Sequence, residues 1–414
     1  MNEQLMEEAL SPDNWHAAWK AVVANHGAPG VDGMKCEELV PLLKQHGEKI
    51  RAKLLAGTYV PNAVKRVIIP KPGGGERHLG IPTVLDRFVQ QLLLGVLTPI
   101  WEARFSPSSF GFRPGRSQHD AVRAAQKHIK EGKTYVVDLD IEKFFDRVNH
   151  DILMSRIGQV IGDKRVKRLI GKMLRAGIMV EGVVIDREEG TPQGGPLSPL
   201  LANIYLDALD KEIEARGHAQ VRYADDCNIY VGSQAAADRV KESISRWIEQ
   251  RLRLKVNESK SGSGGVRGRK FLGFSFEPEG SIQIASKSIE RFKDRVRELW
   301  DARQSKTNKQ MRDQWNQWLK GWVGYFRIGE RKPVAYLEGW IRRRIRCYYW
   351  QRWHNAKGRC AKLRKLGVKP EKAKAGRSSR GAWRMAKHPA MQTALSNAAL
   401  RKARILMPTQ LRAW

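Results

Sequence analysis

The chain has 414 residues, of which 41% are hydrophobic and 29% charged, and its net charge at pH 7 is +32. This composition supports a sizeable buried core, and it excludes a wholly disordered chain and a collagen-like chain. At about 150 residues per domain, the length predicts two or three domains.

The positive charge is concentrated in the last third of the chain. Residues 281–414 contain 34 Lys and Arg against 8 Asp and Glu, a net charge of +26, together with nine of the 13 Trp. The first 280 residues have a net charge of only +6. A region this basic most often binds a polyanion, either a nucleic acid or an anionic membrane surface.

The sequence gives no sign of a membrane span or an export signal. The longest nearly unbroken apolar run, Leu92–Trp101, has about half of the roughly 20 residues that a membrane helix needs. The acidic start M-N-E-Q-L-M-E-E differs from the basic start of a signal peptide. The four Cys form no Cys-x-x-Cys pair, which argues against a zinc ribbon and a disulfide framework. We therefore expect a cytoplasmic protein with reduced thiols and no membrane partner.

The predicted elements begin with helices and a hairpin. Residues 1–60 have helical character with short breaks, one of them near Gly47. Val64–Pro70 predicts a β-branched strand that pairs across a Gly-rich turn with His78–Ile81, which gives a hairpin with a basic tip. Asp86–Trp101 has the apolar spacing of a helix.

Two short strands carry acidic residues. Tyr135–Ile141 predicts a strand with Asp138 and Asp140 on one face, since side chains alternate with a period of two. Asp225 and Asp226 lie at a predicted turn between two apolar strands, where adjacent carboxylates repel each other but suit a hard divalent cation. If these strands are neighbours, Asp225 and one of the first two Asp would hold two Mg²⁺ ions. Such a pair can activate a 3′-hydroxyl and stabilise a leaving pyrophosphate oxygen.

The remaining elements become increasingly helical. Pro199–Ala215 predicts a helix, Phe271–Phe276 a strand, and residues 261–269 a flexible basic loop. Past residue 286, three apolar stripes at helical spacing include many of the Trp residues, and we interpret them as packed helices rather than as base-stacking surfaces. Lys362–Arg380 predicts a mobile basic linker, and Met391–Leu406 a short helical tail.

Several segments match, in order, the motifs of one enzyme family. Val137–Asp146 (V-D-L-D-I-E-K-F-F-D), Gly190–Asp207 and Tyr223–Asp226 (Y-A-D-D) resemble the catalytic strands and the substrate-positioning turn of reverse transcriptases. Leu252–Lys260 and Phe271–Phe274 resemble the elements that follow. Five motifs in the family's order are far more specific than any one of them.

Other segments narrow the resemblance to group II intron-encoded reverse transcriptases of the bacterial type. Ile69–Asp86 and Ser109–Gly115 resemble the fingers of that family, and Trp315–Trp353 is similar to its maturase domain. Many members end in an H-N-H endonuclease that carries paired Cys. Only 54 residues follow Cys360, without paired Cys, so we expect that domain to be lacking.

The resemblance implies an α+β fold of the right-hand polymerase type. Residues 1–130 would form an N-terminal extension and fingers, and residues 131–285 a palm with an antiparallel sheet and the active site. An α-helical thumb and maturase domain would follow at 286–360. The basic linker and a DNA-binding tail would occupy 361–414.

The resemblance also assigns the catalytic carboxylates. Asp140, Asp225 and Asp226 match the catalytic positions of the family, which selects Asp140 over Asp138. The metal would be held by Asp140, Ile141 and Asp225, with Mg²⁺ as the expected cofactor.

Substrate-binding roles follow in the same way. Lys71 and Arg77 flank the glycine hairpin and would grip a triphosphate. Gln193 and Gly194 would contact the incoming nucleotide or the template. Lys260 matches the lysine proposed as general acid for pyrophosphate, and its alternative is a solvated lysine.

Two adjacent phenylalanines are candidates for the residue that selects the sugar of the nucleotide. Phe145 matches the aromatic residue that lies under the sugar, where a flat ring would clash with a 2′-hydroxyl. Phe144 remains the alternative, because one of the two rings must face the core.

The function implied is that of an RNA-directed DNA polymerase that adds deoxynucleoside triphosphates to a DNA primer on an RNA template. Such a protein would bind its parent group II intron RNA, assist splicing and copy the intron at a DNA target. One alternative is an RNA-binding splicing cofactor whose polymerase site is idle, although the intact carboxylates argue against it. The other is a relative that serves a defence-associated or CRISPR-associated system.

Overall fold

In a computed structural model, the chain divides into two compact units, Met1–Gly265 and Val266–Trp414, called here the N-terminal and C-terminal units. The structure describes residues 3–70, 75–180, 183–185 and 188–411. The helices of the N-terminal unit are α1 (Leu5–Ala9), α2 (Pro12–Ala24), α3 (Leu39–Leu55), α4 (Val84–Glu102), α5 (Gln118–Lys130), α6 (His150–Val160), α7 (Lys164–Arg175), α8 (Ser198–Ala215) and α9 (Gln234–Trp247). Its strands are β1 (Val64–Pro70), β2 (Glu76–Ile81), β3 (Tyr135–Leu139), β4 (Ile178–Val180), β5 (Val183–Ile185), β6 (Ala219–Tyr223), β7 (Asp226–Val231) and β8 (Gly262–Gly265).

An antiparallel sheet of order β6-β7-β3-β8 forms the centre of the N-terminal unit. In its register Leu139 lies opposite Cys227, and Tyr223 lies opposite Asp226 across the turn that joins β6 to β7. The end of β3 therefore lies beside this turn. That register brings together the two acidic segments of the sequence, which are more than eighty residues apart in the chain.

A second sheet contains the predicted hairpin. Its order is β2-β1-β4-β5, with β1 and β2 antiparallel and β1 and β4 parallel. Val64 is buried, whereas Ile68 and Ile69 further along β1 are exposed. The hairpin is therefore packed at its base, and the later residues of β1 are exposed to solvent.

Helix α4 is central to the core of the N-terminal unit. It begins after Thr83, whose side chain accepts a hydrogen bond from the backbone N–H of Asp86, as a favourable N-cap does. Two of its core-facing side chains, Phe88 and Leu92, are 0% and 1% exposed. Burial of each such side chain contributes about 1.5–3 kcal/mol.

The C-terminal unit is mainly helical. Its elements are β9 (Phe274–Phe276), β10 (Ile282–Ile284), α10 (Ser286–Leu299), α11 (Asn308–Phe326), α12 (Lys332–Arg352), α13 (Ala356–Lys365), α14 (Pro370–Ala373), α15 (Ala382–Met385), α16 (Pro389–Ala394) and α17 (Asn397–Lys402). Its core is rich in tryptophan, and Trp300, Trp315 and Trp350 are at most 2% exposed. The prediction that the apolar stripes form packed helices is confirmed for Trp315, whereas Trp300 and Trp350 are buried residues outside those stripes.

Three local predictions were wrong. Helix α3 continues through Gly47 without a break. Residues 262–265, expected in a flexible loop, form β8, because their backbone groups pair with β3. The expected mobile linker Lys362–Arg380 is instead largely helical and packed, with Leu363 and Ala373 fully buried.

The packing of the C-terminal segment extends to its end. Leu400, Ile405 and Met407 belong to the same buried cluster as the tryptophans. Trp315 Nε1 donates a hydrogen bond to the carbonyl oxygen of Leu406 at 2.8 Å. Residues 363–407 are therefore part of the core of the C-terminal unit rather than an appended tail.

The boundary between the units differs from the expected end of the palm. Strands β9 and β10, which fall within the predicted palm of 131–285, belong to the C-terminal unit. The α+β fold class itself is confirmed, with the antiparallel sheet in the N-terminal unit and helices dominating the C-terminal unit. Among the described residues, every helix is too short or too polar to cross a lipid bilayer.

Candidate active site

A cleft of about 2040 Å³ opens in the N-terminal unit beside the end of β3. It brings together nearly all of the site residues expected from the sequence: Arg77, Asp140, Ile141, Phe145, Gln193, Gly194, Asp225, Asp226 and Lys260. Lys71, the remaining expected residue, lies outside the described residues. The cleft thus collects acidic, basic and aromatic side chains from five separate segments of the chain.

The backbone of Asp140 is fixed from one side by a downstream segment. Its N–H donates to Ser261 Oγ at 2.9 Å, and its carbonyl oxygen accepts from the N–H of Asn257 at 2.8 Å. Asp138 lies within β3, opposite Asn228 on one neighbour and Gly262 on the other. The cleft lining includes Asp140, which agrees with the choice that the resemblance made between the two residues.

Asp225 lies on the sharp turn between β6 and β7. The turn contains Ala224 with a φ of +58°, a left-handed conformation that costs a non-glycine residue free energy. Tight pairing of β6 with β7 on either side maintains this conformation and directs the acidic pair toward the end of β3. Neighbouring carboxylates repel each other, and a cation between them relieves that repulsion.

The donor set of the cleft fits a divalent cation that is shared with a substrate. Asp140, Asp225 and Asp226 offer carboxylate oxygens, and Ile141 lies beside them. Within the described ranges no three acidic, His or Cys side chains are close enough to hold an ion by themselves. Mg²⁺ is usually bound by one or two carboxylates together with substrate phosphates and water, rather than by an all-protein cage.

The thiol nearest to the acidic turn does not compete for such an ion. Cys227 follows Asp226 in β7 and is 1% exposed. Burial raises the pKa of its thiol to about 12. A thiol binds metal as the thiolate, so Cys227 stays protonated and inert at neutral pH.

Lys260 lies beside Asp140. Its Nζ lies 3.8 Å from Asp140 Oδ1, and its side chain is 64% exposed. This distance is too long for a hydrogen bond, and an exposed pair of this kind contributes about 0–1 kcal/mol. The lysine is therefore loosely held and can turn toward a bound substrate.

Burial distinguishes the two adjacent rings. Phe144 is 3% exposed and belongs to the hydrophobic core, whereas Phe145 is half-buried and packs on it edge-to-face, with ring centroids 5.2 Å apart. The carbonyl oxygen of Phe145 accepts a hydrogen bond from Thr191 N–H at 2.7 Å. The turn that precedes α8 thus holds Phe145 in place at the cleft.

The turn at Gln193 and Gly194 connects the hairpin to the cleft. The carbonyl oxygen of Gln193 accepts from Gly80 N–H at 3.0 Å. Gly194 has a φ of +141°, and a Cβ there would lie 2.9 Å from the carbonyl oxygen of Gly80. Because glycine has no Cβ, the turn can lie directly against β2 at this position.

Arg222 is the main structural residue that sequence reasoning missed. Its side chain is fully buried in β6, and its Nε and Nη2 donate to the Asp210 carboxylate at 2.7 and 2.6 Å. Nη1 donates to Asn203 Oδ1 and to the Ala224 carbonyl oxygen, and Nη2 also donates to Ser109 Oγ. This network joins α8, the fingers-like segment and the acidic turn. A charged residue within an apolar strand was the available signal.

Comparison with known proteins agrees with this geometry. The family described as reverse transcriptase (RNA-dependent DNA polymerase) matches residues 69–276, and the group II intron maturase-specific domain matches residues 289–367. Protein YkfC of Escherichia coli (strain K12) is 32% identical over 299 residues, which cover 63% of this chain and 78% of that protein. The group II intron-encoded protein LtrA of Lactococcus lactis subsp. cremoris is 37% identical over 209 residues, 50% of this chain.

The extent of these matches differs. The matched region spans only 35% of the length of LtrA. Among solved structures, a partial Cas6-RT-Cas1–Cas2 complex is similar with a TM-score of 0.38 and 27% identity, covering 59% of this chain and 42% of that one.

The reverse transcriptase match alone covers half of the chain and includes every residue of the acidic pair and of β3. The chain therefore belongs to the group II intron-encoded reverse transcriptases that carry a maturase-specific domain.

Proposed function

We propose that this protein is an RNA-directed DNA polymerase that extends a DNA primer with deoxynucleoside triphosphates on an RNA template, with Mg²⁺ as cofactor. One observation carries the proposal. Antiparallel pairing of β3 with β7 brings Asp140 and the Asp225–Asp226 turn to one end of a single cleft, which also contains Phe145, Gln193 and Lys260.

The carboxylates of Asp140 and Asp225 would hold the cations between them, with Ile141 beside them. When bound, divalent cations would act as Lewis acids for the 3′-hydroxyl and for the leaving pyrophosphate. The contribution of the chain itself would be positioning, because Asp140 and Asp225 lie at the ends of paired strands.

Basic residues of the chain would bind the triphosphate. Arg77 is exposed on β2 and lines the cleft, and its planar guanidinium suits bidentate contact with phosphate oxygens. Lys71 is proposed for the same role from the sequence. Lys260 would donate a proton to the leaving pyrophosphate, since its loose contact with Asp140 leaves it able to turn toward that group.

Phe145 would select deoxynucleotides. Its ring is half-buried at the cleft and rests on the fully packed Phe144, so it cannot move away from a 2′-hydroxyl without disturbing the core. Gln193 and Gly194, on the turn against β2, would contact the incoming nucleotide or the template.

The C-terminal unit would bind nucleic acid. It contains 37 Lys and Arg against 10 Asp and Glu, a net charge of +27. We propose that it holds the template–primer duplex as thumb and binds the parent group II intron RNA and the target DNA. The binding should weaken steeply with salt, because contacts to phosphate release counterions.

Primer extension tests the proposed activity. A DNA primer annealed to an RNA template should be extended with deoxynucleotides and Mg²⁺, and chelation with EDTA should abolish the extension. Filter binding should show a higher affinity for group II intron RNA than for double-stranded RNA of equal length. Absence of extension together with retained RNA binding would contradict the proposal and favour a splicing cofactor with an idle polymerase site.

A further inference from the structure

Phe112 is an aromatic residue that the fold exposes at the cleft. Its side chain lines the same cleft as Asp140 and Asp225, and it is 51% exposed. Its φ is +58°, in the left-handed region that bulky residues rarely adopt. Both features are unfavourable for folding: the apolar ring is exposed to water, and the backbone is in a strained conformation.

The neighbours of Phe112 fix its position. Phe110 is 9% exposed, with the Arg116 guanidinium 5.3 Å from its ring centroid. Arg113 forms a bidentate pair with Glu102 and donates to the backbone carbonyl of Ser109 at 2.8 Å. The residues on both sides of Phe112 are therefore anchored inward, and the ring between them is left as a large apolar group on the surface of this turn.

Gly111 fixes the distance between this segment and the acidic turn. A Cβ at Gly111 would lie 2.2 Å from the backbone nitrogen of Ala224, so the two backbones are in direct contact. Asn203 Nδ2 donates to the carbonyl oxygen of Gly111 at 2.8 Å, and Phe110 N–H donates to the carbonyl oxygen of Arg222. Phe112 is thus one residue from a point that touches the turn of Asp225.

This placement defines what can cover the ring. The proposed metal-binding carboxylates would fix where the 3′-end of the primer lies. Phe112 lines the same cleft and follows Gly111, whose backbone contacts the acidic turn. A phenyl ring offers no hydrogen-bond donor for a triphosphate, whereas bases and sugars present apolar faces that stack on aromatic rings whatever the sequence. The occupant that fits is therefore the nucleotide pair at the primer terminus.

We propose that Phe112 packs against the terminal base pair of the RNA–DNA template–primer duplex and thereby positions the primer 3′-end. The inference rests on the proposed polymerase function and adds to it a residue that binds the duplex rather than the triphosphate. Because the contact depends on shape, loss of the ring should also reduce the preference for a matched over a mismatched primer terminus.

The test compares Phe112→Gly, Phe112→Ala and Phe112→Tyr with the wild-type chain. Glycine adopts a φ of +58° without strain, so the glycine variant should fold at least as well as the wild type. Val60→Ala, at a 71% exposed apolar position outside the cleft lining, is the matched control. The measurements are the melting temperature, the Kd for a recessed RNA–DNA duplex by fluorescence anisotropy, and the KM for duplex and for deoxynucleotide in primer extension.

The glycine and alanine variants should raise the Kd and KM for the duplex by about 5- to 150-fold, the range for removal of one aromatic ring that stacks on a base. The KM for deoxynucleotide and the melting temperature should be retained, and the tyrosine and Val60 variants should resemble the wild type. An unchanged duplex Kd in Phe112→Gly, or a lower melting temperature that accounts for the loss, overturns the inference. If the wild type binds the duplex through Phe112 but does not extend it, the inference stands and the proposed function fails.

Discussion

Phe144 and Phe145 are adjacent in sequence but differ in what their rings contact. Phe145→Ala should allow ribonucleotides to be incorporated, because it removes the ring at the cleft and leaves its core neighbour in place. Selectivity for deoxynucleotides should fall by roughly 10- to 200-fold, as when a pocket no longer excludes a substrate by shape. Primer extension with each nucleotide type, compared as kcat/KM, measures the change.

Phe144→Ala is the matched control for this substitution. It should lower the free energy of unfolding by about 3–5 kcal/mol, since the ring is buried in the core, and should leave the sugar preference of the folded fraction unchanged. Unchanged selectivity in Phe145→Ala would contradict the assignment, and a change confined to Phe144→Ala would make the other ring the gate.

Most of the candidate site residues could be predicted from the sequence, but the residues that hold them in place could not. Asp140, Asp225 and Gln193 were recognised because they lie in motifs whose order is specific. The roles of Arg222 and Phe112 were missed. An arginine within an apolar strand signals a buried charge but not its partners, and no local pattern displays the backbone conformation of Phe112. A buried arginine becomes visible only when its partners, Asp210 among them, are brought next to it by the fold.

At the element scale, β6 and α8 are joined through the ion pair of Arg222 with Asp210. Both side chains are 0% exposed. Arg222→Leu should lower the free energy of unfolding by about 3–5 kcal/mol, since it leaves the Asp210 carboxylate buried without its partner. Polymerisation should also be abolished, because the same guanidinium holds the Ala224 carbonyl oxygen in the acidic turn.

An exposed ion pair with a similar nitrogen–oxygen distance provides the control. Arg246 and Glu242 are 2.6 Å apart on α9 and their side chains are 62% and 73% exposed. Arg246→Ala should change stability by less than about 1 kcal/mol. Urea denaturation of both variants measures the difference, and equal effects would show that burial of the Arg222 pair is unimportant.

Elements with strong side-chain patterns were predicted, and elements formed by backbone pairing alone were not. The hairpin, the acidic strands and the helices α4, α8 and α11 follow from β-branched runs and helical apolar spacing. Strand β8 consists of Gly262–Gly265 with one serine, so no side-chain alternation could reveal it. It becomes a strand because β3 offers it an edge to which its backbone groups bond.

At the scale of the whole molecule, the C-terminal segment combines a packed core with an external charge. Removal of residues 361–414 should unfold the C-terminal unit, because it takes away buried side chains such as Leu363, Met391 and Met407. Thermal unfolding and limited proteolysis measure this loss. A truncated chain with an unchanged melting temperature would contradict it.

The charge is tested separately from the core. Lys362, Lys365 and Lys369 are exposed between buried residues, so replacing all three with Gln should keep the melting temperature. The slope of log Kd for duplex against log salt should decrease by about 0.9 for each phosphate that the variant no longer neutralises. The sequence showed this charge but obscured the core between residues 362 and 380, where eight Lys and Arg stand against five apolar residues.

We propose that the acidic turn at Asp225 is the polymerase centre. The most direct test is single-turnover extension of a DNA primer on an RNA template by wild type, Asp225→Asn and Asp151→Asn, where Asp151 is exposed on α6. Asp225→Asn should reduce the rate by at least about 10²–10³-fold while duplex affinity and melting temperature are retained, and Asp151→Asn should match the wild type. Extension by Asp225→Asn at the wild-type rate, or a loss explained by unfolding, would contradict the assignment of Asp225 to the polymerase centre.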